Sequence, residues 1–268
     1  MSFKPLLPDA GTAETPYMTL LIRGFGGPTV AFEFGGHTFL TDPTFDPPGN
    51  YPMGDRVLTK TAPASGTAEE AGPVDVVLLS HDEHPDNFDH AGRKLSATVP
   101  LVLTTTAAAS RLGPPARGLA AWESVTLPGG DTTVTVTGVP AQHGPADLEH
   151  ITGPVTGFVL EGKGLPTVYV SGDNASLDVV REIAARFPAI DVAVLFGGAA
   201  RTPLVGPVNL TLSATEMAEA THILGASTVV PAHVDSWAHF TEGVAEVRAA
   251  FTAAGLADRL REPSPAAR

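Results

Sequence analysis

The chain gathers its reactive side chains into one short stretch, Ser80 to His90, reading S-H-D-E-H-P-D-N-F-D-H. Three histidines, three aspartates and a glutamate follow an apolar run, Val74-Asp75-Val76-Val77-Leu78-Leu79, with the composition of a buried strand. The C-terminal end of a strand is where α/β folds place their chemistry. Imidazoles and carboxylates converging at one turn are ligand chemistry for a divalent metal. Four more strand ends carry the same kind of side chain. They are Asp42 in Leu40-Thr41-Asp42-Pro43, His143 in Pro140-Ala141-Gln142-His143-Gly144, Asp173 in Ser171-Gly172-Asp173, and His233 in Val230-Pro231-Ala232-His233. The repetition is more specific than any one of these motifs.

The composition narrows the chemistry further. The chain has no cysteine, which excludes disulfides, thiolate catalysis and cysteine-ligated zinc or iron–sulfur centres. A metal site here is built from His, Asp, Glu and water. The formal net charge of -13 argues against nucleic acid or an anionic membrane as partner. A negatively charged substrate stays open, because a bound cation inverts the local field. The expected partner is a small-molecule substrate, with a homo-oligomer allowed. No apolar run approaches the length of a membrane span, so no stable membrane association is expected. Residues 1–16 read as an irregular leader without the features of a signal peptide, and a cytoplasmic location is expected.

At 268 residues with 43% apolar side chains, the chain fits one domain, residues 1–268, with a sizeable core. Residues 18–23, 29–34 and 37–41 read as strands, joined by a Gly-rich turn and by the hairpin signal Gly35-Gly36. The Pro/Gly-rich stretch from Pro47 to Pro73 reads as a long loop covering a site. Beyond the reactive turn, 88–96 and 104–112 read as helices and 100–103 as a strand, with 113–130 as loop. Strands are expected at 132–139, 155–161, 167–171, 191–196 and 228–231. Helices are expected at 177–187 and 241–254, and another begins at the capping box Ser213/Glu216, with Leu212 and Met217 placed for a hydrophobic staple. Residues 262–268 read as a frayed tail. The simplest architecture is two packed sheets with helices outside.

These segments resemble the metallo-β-lactamase-fold hydrolase superfamily. They are similar in style to the branch containing ascorbate-6-phosphate lactonase and the N-acyl-phosphatidylethanolamine phospholipase D type enzymes. The opening hairpin through Asp42-Pro43, Ser80-His81, Asp86-Asn87, His143, Ser171-Gly172-Asp173-Asn174 and Pro231-Ala232-His233 run in the family's order over about residues 18–240. The resemblance implies a four-layer αββα sandwich, of α+β or α/β class, with the metal site at one edge of the two sheets. The chain departs from the family's His-x-His-x-Asp-His motif. A direct match from His81 places Glu83 at the second histidine. In the alternative register His84 and Asp86 match the second histidine and the aspartate, Asp82 replaces the first histidine unless an extra residue lets His81 keep that role, and Asn87 stands at the last histidine. The favoured imidazole set is His81, His84 and His143. Asp173 then bridges or closes the site, while Asp86 and His233 face a second metal or its water. Asp42 orients a ligand from behind, as in the family.

One or two divalent ions are implied, zinc or manganese first and iron as the alternative. The implied enzyme is a metal-dependent hydrolase of a small ester or lactone, with a phosphodiester second. An ion lowers the pKa of its bound water to about 7 and polarises the scissile bond, and Asp86 and His84 are the catalytic candidates. An iron-dependent oxidoreductase and an inactive small-molecule-binding protein are the alternatives. Glu83 is open between ligand, base and exposed neighbour. Arg201, His150 and His239 are substrate-binding candidates. His37, His90 and His222 read as structural or surface residues. Gly24-Phe25-Gly26-Gly27 is not a phosphate loop, since no Lys-Ser/Thr follows.

Overall fold

The computed structural model describes residues 20–54, 56–129 and 132–265. In chain order, β1 (Ile22–Gly26), β2 (Thr29–Phe34) and β3 (His37–Thr41) form a meander, and β4 (Gly49–Met53) and β5 (Arg56–Lys60) a separate hairpin. Then come β6 (Val76–Leu78), α1 (His90–Ser96), β7 (Leu101–Thr104), α2 (Thr106–Leu112), β8 (Ala116–Gly118), β9 (Ser124–Gly129) and β10 (Thr132–Pro140). The second half continues with α3 (Glu149–Thr152), β11 (Thr156–Gly162), β12 (Val168–Val170), α4 (Leu177–Arg186), β13 (Val192–Phe196), α5 (Ala214–Leu224), β14 (Thr228–Ala232), α6 (Val244–Ala253) and β15 (Ser264–Pro265).

Two sheets result, ordered β15-β1-β2-β3-β6-β7-β8 and β14-β13-β12-β11-β10-β9. Strand alternation sorts the apolar side chains into three layers. Val30, Phe32, Phe39, Val76 and Leu78 of the first sheet meet Val136, Phe158, Val170, Val194 and Phe196 of the second in the central core. The opposite faces pack outward. Ala31, Leu40 and Val77 pack with Phe88, Leu95 and Leu112 around α1 and α2. Tyr169, Ala193, Leu195 and Val229 meet Val180, Ile183, Met217 and Phe251 of α4, α5 and α6. Three apolar layers between four structural ones make the αββα sandwich.

β3 and β6 run parallel, as do β12, β13 and β14, while β10 pairs antiparallel with β11, which itself opposes β12. Within each sheet the ligand-bearing strands therefore point the same way. Their C-terminal ends deliver Asp42, His81, His143, Asp173 and His233 to one edge of the sandwich. The capping box of α5 is present: Glu216 N donates to Ser213 Oγ at 3.3 Å, and Ser213 N to Glu216 Oε2 at 2.8 Å.

Several sequence expectations are corrected. The stretch 47–73 is not simply loop, because it contains the β4–β5 hairpin. The stretch 113–130 holds β8 and β9, short strands lacking a long β-branched run. The tail is tied down as far as Pro265: Glu262 pairs with Arg248, and β15 adds to β1 in parallel. The first strand begins at Ile22, and the leader lies outside the described residues. No helix of the described residues is long and apolar enough to cross a membrane.

Gly92 couples this frame to the reactive edge. A Cβ there would sit 1.8 Å from the carbonyl oxygen of Pro43, the residue after Asp42. The first turn of α1 thus presses directly on the loop leaving β3. Gly92→Ala is expected to cost about 1–3 kcal/mol or more through overpacking against fixed backbone. Urea unfolding measures this, and an unchanged midpoint contradicts the packing described.

Candidate metal centre

His81, His84 and His143 place one ring nitrogen each within 4.8 Å of the others, all buried. The groups behind them fix which nitrogen carries the lone pair. Ser80 N and Ser80 Oγ both donate to the Asp42 carboxylate, so the hydroxyl oxygen is left to accept from His81 Nδ1 at 2.9 Å. His81 Nε2 then faces the cluster unprotonated. His143 Nδ1 donates to the Leu210 carbonyl at 2.8 Å, which leaves Nε2 free in the same way. Both free nitrogens face His84 Nδ1, at 2.9 and 3.4 Å. Burial and then the His84 and His143 rings push His81 well below the ordinary imidazole range. Burial and then His143 lower His84 to about 4. At neutral pH His84 is therefore a neutral ring, with one nitrogen carrying a lone pair. Three buried imidazoles with ring nitrogens gathered at one point are a donor set that a divalent cation fits.

Asp86, Asp173 and His233 form a second buried group of the same kind. His233 Nδ1 donates to the Gly197 carbonyl at 3.2 Å, which turns Nε2 inward. Nε2 lies 3.3 Å from Asp86 Oδ2 and 3.6 Å from Asp173 Oδ1, yet has no hydrogen-bond partner, and neither does Asp86 Oδ1. Orphaned buried polar atoms of this type are costly unless something else satisfies them. Asp173 faces both groups, since its Oδ2 is 3.6 Å from His143 Nε2. Burial alone would lower His233, but the Asp173 and Asp86 charges raise it to about 9. Burial alone would raise Asp86, but His239 and His233 hold it well below the carboxylate range.

The backbone is bent to achieve this. Asp42 and His233 adopt φ of 25° and 59°, a region that costs a non-glycine residue on the order of 1–3 kcal/mol. His233 N donates to the Gly27 carbonyl at 2.7 Å, which secures that conformation. Gly172, before Asp173, also has positive φ, and a Cβ there would meet the Thr156 carbonyl oxygen at 2.6 Å and Ser80 Cβ at 2.9 Å. Only glycine lets the two strand ends close on each other.

The remaining candidates divide. Asp42 stands behind the cluster, held by Ser80 and by Asn87 Nδ2 at 2.9 Å, and burial raises it to about 7 against those bonds. Asn87 also donates to Asp173 Oδ1 at 3.0 Å, so it orients two carboxylates with its amide. Glu83 belongs to neither group. It and Asp82 are drawn away by Arg111, which pairs with both. His239 lines the cavity, and its Nε2 donates to Asp86 Oδ2 at 3.0 Å. Arg201 also lines the cavity, held by Asn209 Oδ1 at 2.9 Å. His150 is not brought to the site, for it lies exposed in α3 and bonds the Asp147 carbonyl. Reading from sequence missed Ser80 as the link that sets the His81 tautomer. It also missed Arg56 and Thr202, which line the same cavity.

That cavity, of about 290 Å³, opens over His84, Asp86, His143 and Asp173 and is walled by Met53, Val57, Leu58, Pro203 and Leu210. A larger hollow of about 590 Å³ at the opposite sheet edge contains no histidine.

A family model described as Beta-lactamase superfamily domain matches residues 37–234. A metal-dependent hydrolase of Pyrococcus abyssi (strain GE5 / Orsay) is 28% identical over 188 residues, 68% of this chain and 76% of that one. Another from Anaeromyxobacter sp. (strain K) is 29% identical over 217 residues, 75% and 73% of the two chains. Among solved structures, an isothiocyanate hydrolase from Delia radicum gut bacteria superposes with a TM-score of 0.75 at 22% identity. The match covers 91% of this chain and 95% of that one, a likeness of fold.

The two groups should load ions with different pH dependence. An ion entering beside Asp86 and Asp173 displaces the proton that His233 carries below about 9. Its affinity is expected to fall about tenfold per pH unit below that point. His81 and His84 are already neutral and release no proton on loading at neutral pH. Calorimetric titration of metal-free protein in buffers of different ionisation enthalpy reads both events. Identical pH slopes for the two ions contradict the assignment.

Proposed function

The chain belongs to the beta-lactamase superfamily, and on that footing we propose that it is a metal-dependent hydrolase of a small ester or lactone. The observation that carries this reading is the pair of adjacent ligand groups, His81–His84–His143 and Asp86–Asp173–His233, which present His84, Asp86, His143 and Asp173 to one small cavity. A divalent ion held there supplies Lewis acidity and lowers the pKa of water to about 7. The donor types suit zinc or manganese, with iron admitted by the carboxylate-rich second group.

The protein's own groups take the other roles. His239 fixes Asp86 through Oδ2 and leaves Oδ1 without a partner, free to orient water and accept its proton. Asp173, touching both groups and held by Asn87, keeps them in fixed register. Ser80, Leu210 and Gly197 hold the ring tautomers from behind. The apolar wall of Met53, Leu58, Pro203 and Leu210 favours a compact, largely apolar acyl group and excludes bulk water. Hydrolysis then adds water at the carbonyl carbon, breaks the C–O bond and returns a proton to the leaving oxygen.

The test is turnover of a panel of lactones, aryl esters and phosphodiesters with Zn²⁺, Mn²⁺ or Fe²⁺ supplied in turn. Metal-dependent ester or lactone hydrolysis is the expected result. Asp86→Asn should lower kcat by about 10²–10⁴-fold, the usual weight of an acid–base group. His143→Ala should remove activity together with the ion of the imidazole group. Preference for phosphodiesters would replace the substrate class. Oxygen consumption with iron and no hydrolysis would replace the reaction class by oxidoreduction.

A further inference from the structure

The β4–β5 hairpin brings a cation to the cavity that the hydrolase reading leaves without a task. Arg56, Leu58 and Lys60 alternate on one face of β5. Lys60 anchors that face to the body: it is buried, lies 3.5 Å from Asp89, and donates to the Thr44 carbonyl at 3.0 Å. Leu58 and Arg56 follow on the same face, half-buried, and both line the cavity with His84, Asp86, His143 and Asp173.

The guanidinium of Arg56 has five N–H donors. Among the described residues its polar contact is Thr202 Oγ1 at 3.5 Å, the outer limit of a hydrogen bond. It forms no ion pair with a described carboxylate. The chain carries 29 acidic and 16 basic residues, so a half-buried arginine without a carboxylate partner among the described residues is not explained by scarcity of acids. Arg201, at the same cavity, is exposed and its Nε is already occupied by Asn209. A planar fork whose donors are largely unused among the described residues, set beside the apolar wall of the cavity, matches a carboxylate, which it can bind through two parallel bonds.

We propose that Arg56, with Thr202 beside it, is the anion-binding subsite of this cavity, and that the substrate is a small molecule with an apolar body and a carboxylate remote from the scissile bond. The substrate class rests on the hydrolase reading; the subsite itself does not. Arg56 binds and positions, and has no part in bond breaking. Its donors fix one end of the substrate while the apolar wall takes the middle.

The experiment is calorimetric titration of metal-loaded protein with benzoate and with its neutral counterpart benzamide. Wild type, Arg56→Ala, Arg56→Lys and Arg201→Ala are compared, with melting temperature and metal content checked for each. Arg56→Ala is expected to weaken benzoate binding by about 10–100-fold, the weight of charged hydrogen bonds, and to leave benzamide nearly unchanged. Arg56→Lys restores part of the loss, because it keeps the charge and loses the fork. Arg201→Ala has a smaller effect than Arg56→Ala. No measurable benzoate binding by the wild type, or equal affinities in wild type and Arg56→Ala, overturns the proposal. In parallel, lactones with and without a remote carboxylate are assayed, and the Arg56→Ala penalty is expected in KM for the acidic member alone. Absence of all hydrolysis removes the enzyme reading while the benzoate titration still decides Arg56. Hydrolysis indifferent to the carboxylate and to Arg56 removes the inference and leaves the hydrolase standing.

Discussion

The close approach of three buried imidazoles sets the terms for everything around it. His81 Nε2 and His143 Nε2 approach His84 Nδ1 at 2.9 and 3.4 Å inside a buried sheet edge, where small shifts of one ring would break the cluster. Such an arrangement survives folding only if the surroundings hold each ring from behind. The Asp42–Ser80 pair holds His81, and the Leu210 carbonyl holds His143. Those partners sit on different strands, so the local demand becomes a global one: both sheets must end at the same edge, in register and close together. Gly172 lies at that closure, and the strained backbone of Asp42 and His233 marks the same demand.

The two ligand groups solve the burial of charge differently. In the imidazole group, desolvation lowers the proton affinity of His81 and His84 until their neutral rings are preferred. The other group confines charge, setting two carboxylates against His233 and letting Asn87 and His239 satisfy oxygens at its margin. Asn87 is instructive. Where an imidazole would compete for the ion, its amide donates to Asp42 and Asp173 and ties the support of one group to a member of the other.

Much of this was legible in the sequence because strand alternation and strand-end chemistry are local signals. Runs such as Val76–Leu79, with the histidines and aspartates after it, predict a buried strand feeding a reactive edge without knowledge of the partner strands. The spacing from His81 to His84 to Asp86 left two registers open, since only the fold shows Asp82 and Glu83 drawn off to Arg111. Arg111 lies 28 residues away from Glu83, and no periodicity connects them. The β4–β5 hairpin was hidden by its proline and glycine content. The sequence marked no position as able to set the His81 tautomer, because Ser80 acts through geometry rather than residue type.

The hairpin stands outside both main sheets as a two-stranded ribbon. It meets the body at its root, through Lys60 on Asp89 and Thr44 and through the Thr59–Ala238 and Thr61–Ser236 backbone bonds. None of these contacts uses a ligand of either group. The ribbon is therefore an interchangeable part. Substitution of its cavity-facing Met53, Arg56 or Leu58 alters the reception of a guest molecule and leaves the root contacts in place. A lineage carrying this framework can diversify its guests by editing one surface ribbon, while its reactive edge stays under the stricter geometry of two interlocked sheets.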